Sequence, residues 1–237
     1  MLEPLWPDQS SQLSYLYVLG NAAGQAGRQD LEQKALARLV EVGQNSAEFH
    51  LFMGKAHLNR EEYDPAISEL KQAAELNPKL PFVHFNLGLA YLHHEDLENA
   101  KQEFIRDIAL EPDVAFNYDQ LGTVYWRLQQ YENAAQSFRK ALQRDSRLAS
   151  AHFGLAQVYQ QTGKYAPALL QLDQALKIDP KSNPVHYLRG RVLLRLNRNQ
   201  EAAHELDTAA RLIREQRDVR QKELYGNLPH PELTGVP

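Results

Sequence analysis

Cysteine is absent from the chain of 237 residues. Disulfides, thiol catalysis and thiolate metal sites are therefore excluded, and the redox state of the compartment is left open. Long apolar runs are also missing, since none approaches the roughly 20 residues that a membrane-spanning helix needs. Residues 1–12 contain no Lys or Arg and no apolar block, so the pattern of a secretory signal is not visible. We expect a soluble chain without membrane insertion, and its localisation is unknown.

Neither sign of charge dominates the composition, because 26 basic residues stand against 30 acidic ones and the formal net charge is −4 at pH 7. A nucleic-acid partner is not expected, since such a partner requires a concentrated basic face. The sequence also has no serine nucleophile elbow, no phosphate-binding glycine loop and no paired carboxylates in a definable pocket. We therefore predict no catalytic residue, no cofactor and no enzymatic activity.

A period of 34 residues runs through most of the chain, first visible where Leu87-Gly88 is repeated as Leu121-Gly122. It divides the sequence into the blocks 47–80, 81–114, 115–148, 149–182 and 183–216. Three positions of the block are nearly constant in character. Position 8 is small (Gly54, Gly88, Gly122, Ala156, Gly190), position 20 is alanine (Ala66, Ala100, Ala134, Ala168, Ala202), and position 24 is large and apolar (Leu70, Phe104, Phe138, Leu172, Leu206).

These positions predict two helices in each block. Positions 4, 7, 8 and 11 share one face of a first helix, and positions 20, 24 and 27 share one face of a second helix. Small residues at positions 8 and 20 allow the two helices to cross closely, and Pro78, Pro112 and Pro180 end the second helix in three blocks. A single hairpin cannot cover its own apolar face, so neighbouring hairpins are expected to stack.

The pattern of these positions resembles that of the tetratricopeptide repeat (TPR) family. The resemblance implies an all-α fold, a right-handed α-solenoid of stacked helix-turn-helix hairpins, although this fold serves many different partners. We expect a single domain over residues 1–237, in which residues 13–46 form a degenerate hairpin. Its second helix is expected in a shifted register, because Glu32 falls at the alanine position.

The two ends of the chain depart from the repeat. Residues 1–12 fit either the end of an earlier repeat or a frayed terminus. Residues 217–226 are expected to extend the last helix as far as Gly226. In this block Arg214 stands where Pro78, Pro112 and Pro180 end the second helix of other blocks. Residues 227–237 contain three prolines and predict an extended tail.

A second stripe, at positions 2, 5, 9 and 12 of the first helix, lies roughly 130° from the core stripe. The resemblance implies that it lines a concave groove for partner peptides, and amide and arginine side chains flank it at positions 6 and 13. The alternative is that positions 5 and 12 pack against neighbouring helices. The predicted peptide-binding residues are Leu51, Lys55, Phe82, Phe85, Asn86, Leu89, Phe116, Asp119, Gln120, Trp126, Arg127, Phe153, Gln157, Tyr187, Arg191 and Arg195.

Four histidines share position 4, namely His50, His84, His152 and His186. Consecutive first helices should lie about 10 Å apart, whereas a metal–nitrogen bond is about 2 Å long. The row therefore predicts packing residues and no metal site. The adjacent pair His93-His94 is expected to lie in a solvated turn.

The leading functional hypothesis is a protein-interaction scaffold that binds an extended or helical apolar peptide segment in its groove. One alternative is a self-assembling structural array, a homo-oligomer joined through the solenoid ends or the C-terminal tail. Another is the recognition arm of a larger enzyme whose catalytic domain lies outside this chain.

Overall fold

The computed structural model describes residues 12–225, apart from the side chains at 21, 25 and 223–225. This range forms twelve α-helices and no strands. The helices are α1 (Leu13–Gln25), α2 (Gln29–Gly43), α3 (Ala47–Asn59), α4 (Tyr63–Leu76), α5 (Val83–His93), α6 (Leu97–Leu110), α7 (Ala115–Arg127), α8 (Tyr131–Arg144), α9 (Ala149–Gln161), α10 (Tyr165–Ile178), α11 (Asn183–Arg195) and α12 (Asn199–Tyr225). The predictions for residues 1–11 and 226–237 fall outside the described part of the chain.

The chain divides into two compact units between Asn133 and Ala134, within α8. In unit one, α1 packs on α2, α3 on α4 and α5 on α6, and α4–α5 and α6–α7 join neighbouring pairs. In unit two, α9 packs on α10 and α11 on α12, with α10 against α11. The all-α class of stacked helix-turn-helix hairpins is therefore confirmed. Between residues 12 and 225, no helix has the length and apolar character to cross a membrane.

The turn inside each hairpin has one recurring geometry. Position 15 of the block takes a left-handed backbone conformation, and the next residue donates its N–H to the carbonyl of position 11, as Asp96 does to Tyr91 at 2.9 Å. This bond closes the end of the first helix and satisfies a carbonyl that the helix leaves unpaired. The left-handed residues are Gly27, Glu61, Glu95, Gln129, Gly163 and Asn197.

The hairpin core depends on the close crossing of its two helices. All five alanines at position 20 are completely buried. At the crossing of α5 and α6, a Cβ added to Gly88 would lie 2.8 Å from the ring of the buried Phe104, closer than side-chain atoms approach. The absence of a side chain at Gly88 is thus what lets the Phe104 ring fill this part of the core.

The first hairpin departs from the others in its second helix. In α2 the buried residues are Ala35, Leu39 and Gly43, whereas Glu32, at the alanine position of the block, remains partly exposed. The core contact is therefore made three residues later than in the regular blocks. A carboxylate would not tolerate burial at the helix crossing without a partner, and this accounts for the difference.

Candidate functional site

An aromatic surface lies at the start of the first helices α5 and α7 in unit one. The side chains of Phe82 and Phe116 are 56% and 44% exposed, which is unusual for phenylalanine. Phe85 is partly buried beside them, with its ring 5.7 Å from that of Phe116 and 5.9 Å from that of Phe104. Phe85 therefore connects the exposed ring of Phe116 with the hydrophobic core.

Phe82 differs from its predicted placement on the helix stripe. It is the N-cap of α5, which begins at Val83, and it has φ 67° and ψ −1°. The other first helices of the regular blocks begin at position 1, two residues earlier in the period. Left-handed backbone is costly for a residue with a large side chain. The Asn86 side chain stabilises it by donating Nδ2–H to the Phe82 carbonyl at 2.7 Å.

The start of α5 is capped from a neighbouring helix. Asp107 of α6, buried within the core, accepts the backbone N–H of Phe85 at 3.1 Å and the Asn117 side-chain amide of α7 at 2.5 Å. Burial raises the pKa of this carboxyl, and the nearby Glu111 raises it further. Asp107 thus ties together three helices and positions the backbone beneath Phe85 and next to Phe116. Asp107 stands at position 27 of its block, where the other blocks have alanine. The sequence alone did not reveal its role.

A second pair of aromatic side chains, which the sequence analysis missed, lies on the first helices α1 and α3 of unit one. The rings of Tyr17 and Phe52 are stacked, with centroids 4.7 Å apart and planes 12° apart. Lys55 Nζ lies 5.5 Å from the centroid of the Tyr17 ring. Tyr17 occupies position 5 of the block 13–46, so extending the stripe into the degenerate hairpin would have found it. We refer to Tyr17, Phe52, Phe82, Phe85 and Phe116 as the aromatic strip.

Several predicted groove residues of unit one are covered by other side chains. Leu51, Asn86 and Asp119 are buried, and Leu89 and Gln120 are partly buried. Position 5 therefore packs against neighbouring helices in two of these blocks, as the alternative interpretation of the stripe expected. These side chains support the strip and do not offer an open surface.

Two further predicted residues near the end of α7 are also engaged within the protein. Trp126 is partly buried, and its Nε1 is inaccessible and has no hydrogen-bond partner among the described residues. Arg127 donates to the Leu92 carbonyl at 3.0 Å and forms an ion pair with Glu95. The Arg127 guanidinium thus holds α7 to the turn of the preceding hairpin instead of pointing to a ligand.

In unit two, the predicted residues divide between buried and exposed positions. Phe153 packs against the core and Gln157 is partly buried, both on α9. Tyr187, Arg191 and Arg195 are exposed along one face of α11. The guanidinium carbon of Arg191 lies 5.9 Å from the centroid of the Tyr187 ring, a cation–π distance.

The four histidines at position 4 each pair with the second helix of their own hairpin. Their Nδ1 atoms lie 2.6 to 2.8 Å from Glu69, Glu103, Gln171 and Glu205, respectively. The Nε2 atoms of His84, His152 and His186 also face the backbone carbonyls of Pro78, Ser146 and Pro180. These contacts assign the row a structural role. In residues 12–225 no group of three or more His, Asp or Glu side chains is arranged to hold a metal ion.

His84 is expected to make the stability of unit one depend on pH. Both ring nitrogens face acceptors, Glu103 at 2.7 Å and the Pro78 carbonyl at 2.9 Å, so the doubly protonated ring fits best. The hydrogen bond to Glu103 raises the pKa of His84 above 6.5, although burial and Arg106 oppose this. The resulting stabilisation is fully present below the unfolded pKa and is lost as pH rises through the folded pKa.

Urea unfolding of the wild type and His84→Gln between about pH 5 and pH 9 tests this dependence. We expect the difference in unfolding free energy between the two proteins to be largest at the acidic end and to shrink as pH rises. The same subtraction cancels the titration of groups that do not interact with His84. A difference that is constant with pH would show that folding does not change the pKa of His84.

Comparisons with known proteins agree with this architecture. One family model, described as anaphase-promoting complex, cyclosome, subunit 3, matches residues 127–209, and a TPR repeat model matches residues 54–94. A search of curated protein sequences found no match.

Several solved structures share the fold. The chain is similar to PilF of Pseudomonas aeruginosa, with 20% identity, coverage of 93% of this chain and 94% of that one, and a TM-score of 0.69. It is similar to MamA of Desulfovibrio magneticus RS-1, with 20% identity, coverage of 72% and 96%, and a TM-score of 0.65. It is also similar to YrrB, described as a TPR protein with an unusual peptide-binding site, with 20% identity, coverage of 74% and 91%, and a TM-score of 0.59. At these identities the similarity concerns the fold alone.

Proposed function

This chain belongs to the tetratricopeptide repeat family, and from that premise we propose that it is a protein-interaction module that binds an apolar peptide segment along the aromatic strip of unit one. The observation that carries the proposal is the exposure of Phe82 and Phe116 at the starts of neighbouring first helices. Exposed apolar area of this kind usually marks an interaction surface, and rigid aromatic rings are frequent binding anchors. YrrB, a protein of the same fold, is described as having a peptide-binding site.

The backbone strain at Phe82 supports the same proposal. Left-handed backbone costs about 1–2 kcal/mol for a residue with a Cβ, and here it holds out an exposed ring that contributes little to the core. Strain of this kind persists where the surroundings enforce it, and it is concentrated at binding sites. Asn86 and Asp107 supply that enforcement through their bonds to the Phe82 carbonyl and the Phe85 N–H.

The extent of the strip sets the size of the proposed ligand. The strip uses the first helices α1, α3, α5 and α7, and neighbouring helices are spaced by about 10 Å. Three such spacings give about 30 Å, the length of roughly nine residues in an extended chain. Lys55 lies over the Tyr17 ring, and the other four members of the strip are phenylalanines, so most of the contact would be apolar.

Phe82→Gly separates binding from folding. We expect it to weaken peptide binding at least tenfold, since it removes an anchor. The free energy of unfolding should stay unchanged or rise by up to about 1 kcal/mol, because relief of the left-handed strain exceeds the flexibility that glycine adds to the unfolded chain. The probe is the peptide most enriched when the whole chain selects from a random twelve-residue phage library, and binding is followed by fluorescence anisotropy.

The matched control is the double variant Ile105→Ala and Leu110→Ala. Both side chains are exposed on α6, away from the strip, so the variant removes similar apolar surface. The control should bind the peptide as the wild type does, and Phe116→Ala should weaken binding as Phe82→Gly does. Equal affinity of all four proteins for the peptide would refute the proposed site, and a library that yields no binding peptide would refute peptide binding itself.

A further inference from the structure

Unit two has a second exposed surface, which lies on α11 and differs in chemistry from the aromatic strip. Tyr187 and Leu194 are 53% and 46% exposed, and Arg191 and Arg195 are exposed beside them. Tyr187, Arg191 and Arg195 follow one another at intervals of four residues, so they share one face of the helix. We name these four residues the α11 patch.

The charge of this surface is entirely positive. Neither α9 nor α11, the two first helices of unit two, contains a single Asp or Glu. Arg189 on α11 is neutralised by Asp173 and Glu205 of the second helices. Among the side chains that the structure describes, by contrast, no carboxylate forms an ion pair with Arg191 or Arg195. The patch therefore leaves two guanidinium groups facing solvent next to an aromatic ring.

Helix stability accounts for only part of this arrangement. Arg195 lies in the last turn of α11, where a cation interacts favourably with the helix dipole. Arg191 lies one turn earlier, where that effect has largely faded. Its guanidinium is held over the Tyr187 ring, which keeps it extended along the helix surface.

We propose that the α11 patch binds an acidic part of the peptide partner, with two carboxylates on Arg191 and Arg195 and an apolar side chain between Tyr187 and Leu194. Charge complementarity selects this occupant, since guanidinium groups form strong paired hydrogen bonds with carboxylates. Side chains four apart on a helix lie about 5–6 Å from each other. Alternate residues of an extended peptide are separated by about 6.6 Å, so two acids spaced by one residue match the pair. This inference rests on the proposed function.

The test again uses peptides that the whole chain selects from a random twelve-residue phage library. We expect enriched peptides to carry two Asp or Glu residues, separated by one residue, together with an apolar residue. The double variant Arg191→Gln and Arg195→Gln should bind the labelled peptide at least about tenfold more weakly. The wild-type affinity should fall with rising salt, and this salt dependence should be reduced in the variant.

The double variant Arg214→Gln and Arg220→Gln is the matched control, since it removes the same charge from exposed positions on α12. Its affinity should stay within about twofold of the wild type. Selected peptides that lack acids, or that bind the Arg191/Arg195 variant as tightly as the wild type, would overturn the inference. If Phe82→Gly still weakens the binding of those peptides, the proposed function stands without the α11 patch. A library that yields no binding peptide overturns both the inference and the proposed function.

Discussion

Phe104→Ala is expected to lower the free energy of unfolding by about 3–5 kcal/mol. The ring is completely buried between α5 and α6, in the space that Gly88 leaves open, and it contacts the ring of Phe85. Its removal creates a cavity that the two crossing helices cannot close. Urea unfolding followed by far-UV circular dichroism measures the loss.

Phe104→Leu is the matched control, because Leu70 and Leu172 occupy the same position of other blocks and are completely buried there. A loss of less than about 1.5 kcal/mol is expected, because leucine keeps most of the apolar volume and leaves only a small cavity. Equal losses for the alanine and leucine variants would contradict the account of the helix crossing. A loss below about 1 kcal/mol for alanine would show that the ring is not part of a close-packed core.

Asp107→Ala is expected to cost about 2–4 kcal/mol, the second largest of the stability effects. The change leaves the Phe85 N–H and the buried Asn117 amide without their acceptor. Burial raises the pKa of Asp107, so the protein interior disfavours the ionised form of this carboxyl. The neutral variant Asp107→Asn keeps an oxygen for Phe85 and should therefore lose much less than the alanine variant.

The double variant Asp107→Ala and Asn117→Ala measures how much of the loss comes from the hydrogen bond between Asp107 and Asn117, as distinct from that between Asp107 and Phe85. If the carboxylate matters through these partners, the double variant should lose less than the sum of the two single variants, because their effects share one contact. The same urea titration measures all four proteins. Fully additive losses would show that Asp107 acts independently of Asn117, against the proposed tie between α6 and α7.

The hairpins could be predicted because their determinants are local and repeated. A small residue at position 8, alanine at position 20 and a large apolar residue at position 24 are all that a close helix crossing requires, and each is visible as a letter in the sequence. The left-handed turn residues were less visible, since the block uses Glu61, Glu95, Gln129 and Asn197 where glycine would have signalled the turn. The period predicted two helices in each block and the stacking of neighbouring hairpins, and the resemblance to the tetratricopeptide repeat family implied the all-α solenoid.

The details of the candidate site depend on contacts between hairpins, which the period does not encode. Phe82 shares position 2 with Phe116, but α5 starts later and leaves Phe82 outside the helix. Arg127 resembles an open binding residue in sequence, yet it is engaged by the Leu92 carbonyl and Glu95 of another hairpin. Tyr17 was missed because the groove stripe was not extended to the first hairpin, in which only the second helix is irregular.

The most direct test of the central claim is fluorine NMR of the whole chain labelled with fluorophenylalanine. The chain has eight phenylalanines, and single Phe→Leu variants assign their resonances. On addition of the selected peptide, we predict that the resonances of Phe82 and Phe116 move, because their rings are exposed on the strip, whereas that of Phe138, buried in unit two, stays in place. Bound peptide with unchanged Phe82 and Phe116 resonances would contradict the assignment of the binding surface.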